Sequence, residues 1–270
     1  MTSSAGTPVT VFPDPQQLAV ALASEIAARL RVAPGRPPAR LVLGCPAGRT
    51  PTPTFRALPR AIGTRADLSE LVIVMMDEYL QDGAEPPRPV DPSLAHSCRG
   101  YAWRELVEPL NAGREPGRRV SADHVLLPDP ADPEAFDRAL AELGGVDLFI
   151  LASGASDGHV GFHGPGADPD GGTRVVPLAA STRQDNLLTF PHLRTLKDVP
   201  RQGVSIGLGT VVRQSAQAVM VLTGSHKATS ARRVLGAADY RSDWPATIIH
   251  RCSAPRILLD RAAAGEMFSR

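Results

Sequence analysis

The chain is short of the features that announce a function at once. Three cysteines stand in 270 residues, Cys45, Cys98 and Cys252, an odd number without C-x-x-C spacing. That argues against a disulfide framework or a zinc module and for a reducing compartment, the cytoplasm. No apolar run approaches the roughly 18 residues that span a bilayer, and no basic segment leads into an apolar one at the N-terminus, so neither a membrane nor an export route is expected. Charge of one sign is also missing: 29 basic against 28 acidic residues give a formal +1, which leaves no electrostatic footprint for nucleic acid and makes a small molecule the expected partner. Lysine is scarce, since Lys197 and Lys227 are two of those 29 basic residues. Each of these two lysines is therefore a candidate for a specific task. The 24 glycines and 26 prolines stay below the range that signals disorder, so the loops 83–93 and 164–174 read as ordered loops or lids.

What is present is an alternation of strands and helices without an internal repeat or a domain linker. Residues 1–13 read as a loose end or a short edge strand. Asp14-Pro15 then offers an N-cap and a proline suited to a first helical turn. Leu18, Leu22, Ile26 and Leu30 recur on one face of the helix after it, which ends at the connector VAPGRPPA. LVLG (41–44), LVIVMM (71–76) and VDLFIL (146–151) are unbroken apolar runs, as expected of strands buried on both faces of a parallel sheet. Helices are predicted over 97–110, over 132–144 and from about Lys227, with further short strands at 203–208, 218–224 and 256–260. The expected fold is one α/β domain over 1–270, a doubly wound, mostly parallel sheet flanked by helices.

In open parallel sheets ligands sit beyond the carboxyl ends of the strands, so residues just after each apolar run are the first candidates for chemistry. After LVLG comes a glycine-containing turn, Gly44 to Thr50. It reads either as an anion cradle at a helix N-terminus or as a tight turn capped by Thr50-Pro51, and it is neither a Walker A loop nor G-x-G-x-x-G. Next, LVIVMM is followed by Asp77 and Glu78, which as neighbours on a strand point to opposite sides. Such a carboxylate is either a general base with a raised pKa or a helix-capping acid. VDLFIL leads into ASGASDGHVGFHGPGA, where Asp157 can fix the tautomer of an acid/base His159. The spacing D-x-H-x-x-x-H suggests a metal site as a rival, but glycines at 158, 161 and 164 work against a helix carrying both histidines on one face, and a metal is not expected there. Ser153 and Ser156 lack the G-x-S-x-G setting of a hydrolytic nucleophile.

Taken in order, LVLGCPAGRTP, VIVMMDEYL, HSCRGYAW, VDLFILASGASDGHVGF, TRVVPLAASTR, IGLGT and LTGSHKA resemble the glucosamine-6-phosphate deaminase and 6-phosphogluconolactonase superfamily over residues 15–265. The D-E-Y form of the second motif is similar to the amino-sugar deaminase branch, where lactonases typically have D-E-R. The resemblance implies a modified Rossmann-like sheet, no metal or organic cofactor, a phosphosugar substrate and, often, a homo-oligomer. It makes Asp77 the base that moves a proton between C2 and C1 of the opened sugar and His159, oriented by Asp157, the group that opens the ring. Gly48, Arg49, Thr50 and Lys227 match positions that grip the phosphate, and Arg174 matches a further basic position.

This chain departs from the family pattern at several of these places. Deaminases usually read F-N-E-P after the histidine, the glutamate completing a carboxylate-histidine-carboxylate relay; here Phe162-His163-Gly164-Pro165 stands instead, with His163 the candidate substitute. Val176 and Leu188 occupy places where a lysine and an arginine are expected, and Arg49 stands where serine is usual, so an allosteric phosphosugar site is not expected. Three readings remain: an isomerase or deaminase of an amino-sugar phosphate, a 6-phosphogluconolactonase-like hydrolase that does without the glutamate, and a sugar-phosphate-binding protein without turnover. D-E-Y favours the first and Gly164 the other two, whereas Asp77, Asp157 and His159 together speak against the third.

Overall fold

The computed structural model describes residues 2–30 and 40–265; the connector VAPGRPPA lies outside the described residues. Ten strands are present among them: β1 (Val9–Phe12), β2 (Leu41–Cys45), β3 (Leu71–Met75), β4 (Asp77–Tyr79), β5 (Val125–Leu126), β6 (Leu148–Ala152), β7 (Arg174–Pro177), β8 (Gln202–Ser205), β9 (Ala218–Leu222) and β10 (Arg256–Asp260). Seven form one parallel sheet in the order β1-β10-β9-β6-β2-β3-β5. The N-terminal stretch does supply an edge strand, β1, as its length and position suggest.

The unbroken apolar runs are explained by the two faces they feed. Val72, Val74, Phe149, Leu151, Met220 and Leu222 point into one core, which the helices Pro133–Glu142, Leu208–Gln214 and Ala228–Gly236 cover. Ile73, Met75, Leu148, Ile150, Val219 and Val221 point into the other, covered by the helices Pro15–Arg29 and Thr52–Ile62 and by the helical stretch 98–111. Alternate residues of each strand thus bury against different helices, and a polar residue on either face would lose that burial. Helix Pro15–Arg29 shows the local logic: Asp14 Oδ1 accepts from Gln17 N at 2.8 Å, Pro15 occupies the first turn, and Leu18, Leu22 and Ile26 are buried. Fully burying each leucine or isoleucine contributes about 1.5–3 kcal/mol.

Two details differ from the sequence expectation. The helix predicted over 97–110 is interrupted by a wide turn at Trp103–Val107, just before Pro109, which has no N–H and crowds the carbonyl four residues earlier. GVSIGL does not join the main sheet. Its strand, β8, lies antiparallel between β4 and β7 in a separate three-stranded sheet, with Asp77 opposite Ser205. Strand β4, with no apolar run to mark it, was hidden in the D-E-Y motif.

Candidate active site

A cleft of about 470 Å³ opens where β2, β3, β6 and β9 end, four strands that are consecutive in the sheet. Each tip delivers different chemistry. From β2 come Gly48, Arg49 and Thr50, from β3 comes Asp77, from β6 come Ser153, Gly154 and His159, and from β9 come His226 and Lys227, all lining the cleft.

The β2 turn is tied down at Gly48, whose carbonyl accepts from Thr52 Oγ1 at 2.7 Å and from Tyr101 OH at 3.1 Å. Its φ of +111° is open to glycine and strained for other residues. The helix after this turn, Thr52–Ile62, has no side-chain cap, and the prolines at 51 and 53 have no N–H to offer; the cleft lining on this segment stops at Thr50. Opposite, Lys227 is buried and its Nζ donates to the Ser153 carbonyl. Burial, the largest effect, and the nearby Arg49 charge lower its pKa to about 8, while Asp185 works to raise it. His226, which sequence reasoning missed, stands beside them with its pKa lowered by burial and by Lys227 and Arg49. Only its place next to Lys227 in GSHKA could have signalled it.

Asp77 and Glu78 divide as neighbours on a strand should. Glu78 takes the capping role: Oε1 accepts from Cys98 N at 2.9 Å and Oε2 from Arg99 N at 2.8 Å and Ser97 Oγ at 2.9 Å. Asp77 faces the cleft, 6% exposed. Burial pushes its pKa up to about 6, opposed by a hydrogen bond from Cys98 Sγ at 3.1 Å and reinforced by the Glu78 charge.

Asp157 and His159 meet as a pair. Asp157 Oδ1 lies 2.7 Å from His159 Nδ1 and accepts from His159 N at 3.1 Å; Oδ2 accepts from Ser181 Oγ at 2.5 Å and Thr182 Oγ1 at 3.1 Å. Burial works to raise this carboxyl, but the hydrogen bonds from His159 and Ser181 prevail and hold it well below the usual range. A carboxylate so fixed assigns the proton to Nδ1 and leaves the other ring nitrogen to exchange protons in the cleft. Gly154 lets the pair sit there, since a Cβ at that position would come within 2.2 Å of His159 Nδ1 and 2.5 Å of Asp157 Oδ1.

Two expected site residues fall elsewhere. His163 is buried with Nε2 2.8 Å from the Ile206 carbonyl, and it does not line the cleft. Burial and the Arg174 charge depress its pKa to about 4, so it stays neutral and braces β8 rather than standing in for the missing glutamate. Arg174, on β7, donates to the Gly172 carbonyl at 3.0 Å and is likewise outside the cleft lining. It lies two strands across the small sheet from Asp77, with Ser205 of β8 between them. Among the described residues one grouping has the spacing of a metal site, Asp157, His159 and Asp185, but His159 Nδ1 and Asp157 Oδ1 are already spent on each other.

The family of glucosamine-6-phosphate isomerases and 6-phosphogluconolactonases matches residues 13–258. The chain belongs to this family. It is 30% identical to the glucosamine-6-phosphate deaminase of Arthrobacter sp. (strain FB24), over 96% of this chain and 92% of that protein. The deaminase of Streptomyces avermitilis is 31% identical with the same coverage. A solved monomeric glucosamine-6-phosphate deaminase superposes with a TM-score of 0.77 at 26% identity, over 95% of this chain and 98% of that one. The 6-phosphogluconolactonase of Trypanosoma cruzi superposes with a TM-score of 0.63 at 15% identity, over 98% and 97%, and shares the fold. Both activities for which the family is described are enzymatic, and both concern sugar phosphates. No helix of the described residues is long and apolar enough to cross a membrane.

Proposed function

We propose that this protein is an aldose-ketose isomerase and deaminase of an amino-sugar phosphate of the glucosamine-6-phosphate kind, yielding a ketose phosphate and ammonia. One observation carries the reading: a buried carboxylate of raised pKa, Asp77, shares a cleft with a carboxylate-held imidazole and with Arg49, Lys227 and the Gly48–Thr50 turn. The two glucosamine-6-phosphate deaminases at 30% and 31% identity support it.

The roles follow from the geometry. Phosphate is held by Lys227, Arg49 and the amides of the β2 turn, which fixes the sugar's direction. His159 passes a proton between the anomeric hydroxyl and the ring oxygen, which opens the ring. Asp77 then takes the proton from C2 and returns it to C1, so that the C2 amine becomes an imine that water hydrolyses to ketone and ammonia. A base with a pKa near 6 is ionised at neutral pH yet still strong enough to abstract a proton.

The deciding experiment incubates the protein with glucosamine 6-phosphate and measures ammonia and ketose phosphate, with 6-phosphogluconolactone opening followed in parallel. Ammonia and ketose in equal amounts support the proposal; fast lactone loss with neither product would replace it by the hydrolase reading that Gly164 favours. In the same assay Lys227→Ala should raise KM about tenfold or more with kcat nearly kept, because a charged hydrogen bond to a phosphate is removed equally from ground and transition states. An unchanged KM would mean that the substrate carries no phosphate at that end.

Cys98 tunes the base. Burial and the neighbouring Asp77 charge keep its thiol protonated and hence a donor. In Cys98→Ala that donor is lost, the carboxylate is less stabilised, and the acid limb of kcat/KM moves to higher pH by about half a unit to one unit. Cys98→Ser, which keeps a donor, should restore the limb.

A further inference from the structure

The roles above leave one carboxylate in the cleft unused. Asp185 lines the cavity, and its Oδ2 accepts from Ser156 Oγ at 2.9 Å and from Ser156 N at 3.4 Å. It comes from the helix Ala180–Thr189, which also sends Ser181 and Thr182 to Asp157 Oδ2. Positions 181, 182 and 185 are spaced four and three apart, so they share one helix face, and that face lies against the loop that holds Asp157 and His159. The result is close grouping: ligating atoms of Asp157, His159 and Asp185 all lie within 4.8 Å of one another.

We propose that Asp185 is a positioning residue for His159, the second carboxylate of a carboxylate-histidine-carboxylate array, supplied by a helix instead of by the loop that carries the histidine. When His159 takes up a proton it becomes a cation, and a second negative charge at this range favours that form. Asp77 and Asp157 act on the imidazole from the strand tip and from its own loop, while Lys227 at the β9 tip bears on Asp157 and Asp185, with the charges of Arg49 and His226 acting in the same region. Asp185 interacts with Lys227 as well. Position 164 plays no part here: it does not line the cleft, and a Cβ there would meet the Ala179 side chain at 3.4 Å. The array is completed without it.

The catalytic consequence rests on the isomerase and deaminase reading, whereas the effect on the imidazole does not depend on any substrate. Asp185→Asn keeps an oxygen for Ser156 and removes the charge; Asp185→Glu keeps the charge. In the full-length protein the ring resonances of His159, assigned by their absence in His159→Gln, are titrated by NMR. Their midpoint should fall by about one unit in Asp185→Asn and recover most of the way in Asp185→Glu. With glucosamine 6-phosphate, kcat should fall about tenfold in Asp185→Asn, KM should change little, and the thermal midpoint should not move. An unmoved His159 midpoint, or a loss confined to KM, would assign Asp185 to Lys227 and overturn the proposal. If the unaltered protein releases no ammonia from any amino-sugar phosphate, the functional reading fails, and the NMR titration still decides the role of Asp185.

Discussion

Asp77→Asn should leave a folded protein that no longer exchanges the C2 proton of an amino-sugar phosphate with solvent. The amide has nearly the shape of the carboxyl and still accepts from Cys98 Sγ, but it cannot take a proton, and loss of a general base costs about 100- to 10,000-fold in rate. The same variant should be more stable than the parent above pH 6. In the folded protein the Asp77 pKa is raised from 3.8 to about 6, so between these values the folded state binds the proton that the unfolded chain has released. Stability therefore falls as pH rises through this window, and above it the buried charge costs on the order of 3 kcal/mol. Urea unfolding at pH 8 should show Asp77→Asn to be the more stable, and by about pH 3, below both values, this difference should vanish. Equal stability at pH 8 together with undiminished exchange would remove Asp77 from the role of buried base.

The second large effect is expected at a residue with no side chain. In Gly154→Ala the new methyl would occupy space 2.2 Å from His159 Nδ1 and 2.6 Å from His159 Cε1, closer than atoms pack. The imidazole or the backbone must give way, and the loop has little slack because Gly154 N donates to the His159 carbonyl at 2.8 Å and the Gly154 carbonyl accepts from Ser230 Oγ at 2.8 Å. A shift near 1 Å in a proton-transfer group costs about 100-fold in kcat, with about 1–3 kcal/mol of stability lost to overpacking. Turnover measured beside thermal unfolding checks this. Parental kcat with an unchanged His159 titration would show that the loop relaxes without disturbing the pair.

The strand pattern and three of the four tips were legible because buried parallel strands write themselves as unbroken apolar runs, and the residues after such a run are exposed at one edge of the sheet. Asp77, Asp157 and His159 were found that way. At the fourth tip Lys227 was reached through the scarcity of lysine and the resemblance of GSHKA rather than through the strand rule, and His226 beside it was missed. His163 was misplaced because its imidazole is buried against the Ile206 carbonyl just after β8, and Arg174 because β7 lies two strands across the small sheet from Asp77. Asp185 stayed hidden because its meaning depends on which loop its helix lies against. The spacing S-T-x-x-D fixes a shared face and says nothing about what that face meets.

The placement of β6 has a consequence for partial chains. This strand lies between β2, more than 100 residues before it, and β9, some 70 residues after it. A chain ending before β9 would lose His226 and Lys227 and would also leave Leu148–Ala152, apolar along its whole length, with one row of backbone groups unpaired. Such an edge is a template for another strand. Truncation there would give a self-associating product rather than a weaker enzyme, and nascent chains pass through the same hazard until residues 218–222 have been made.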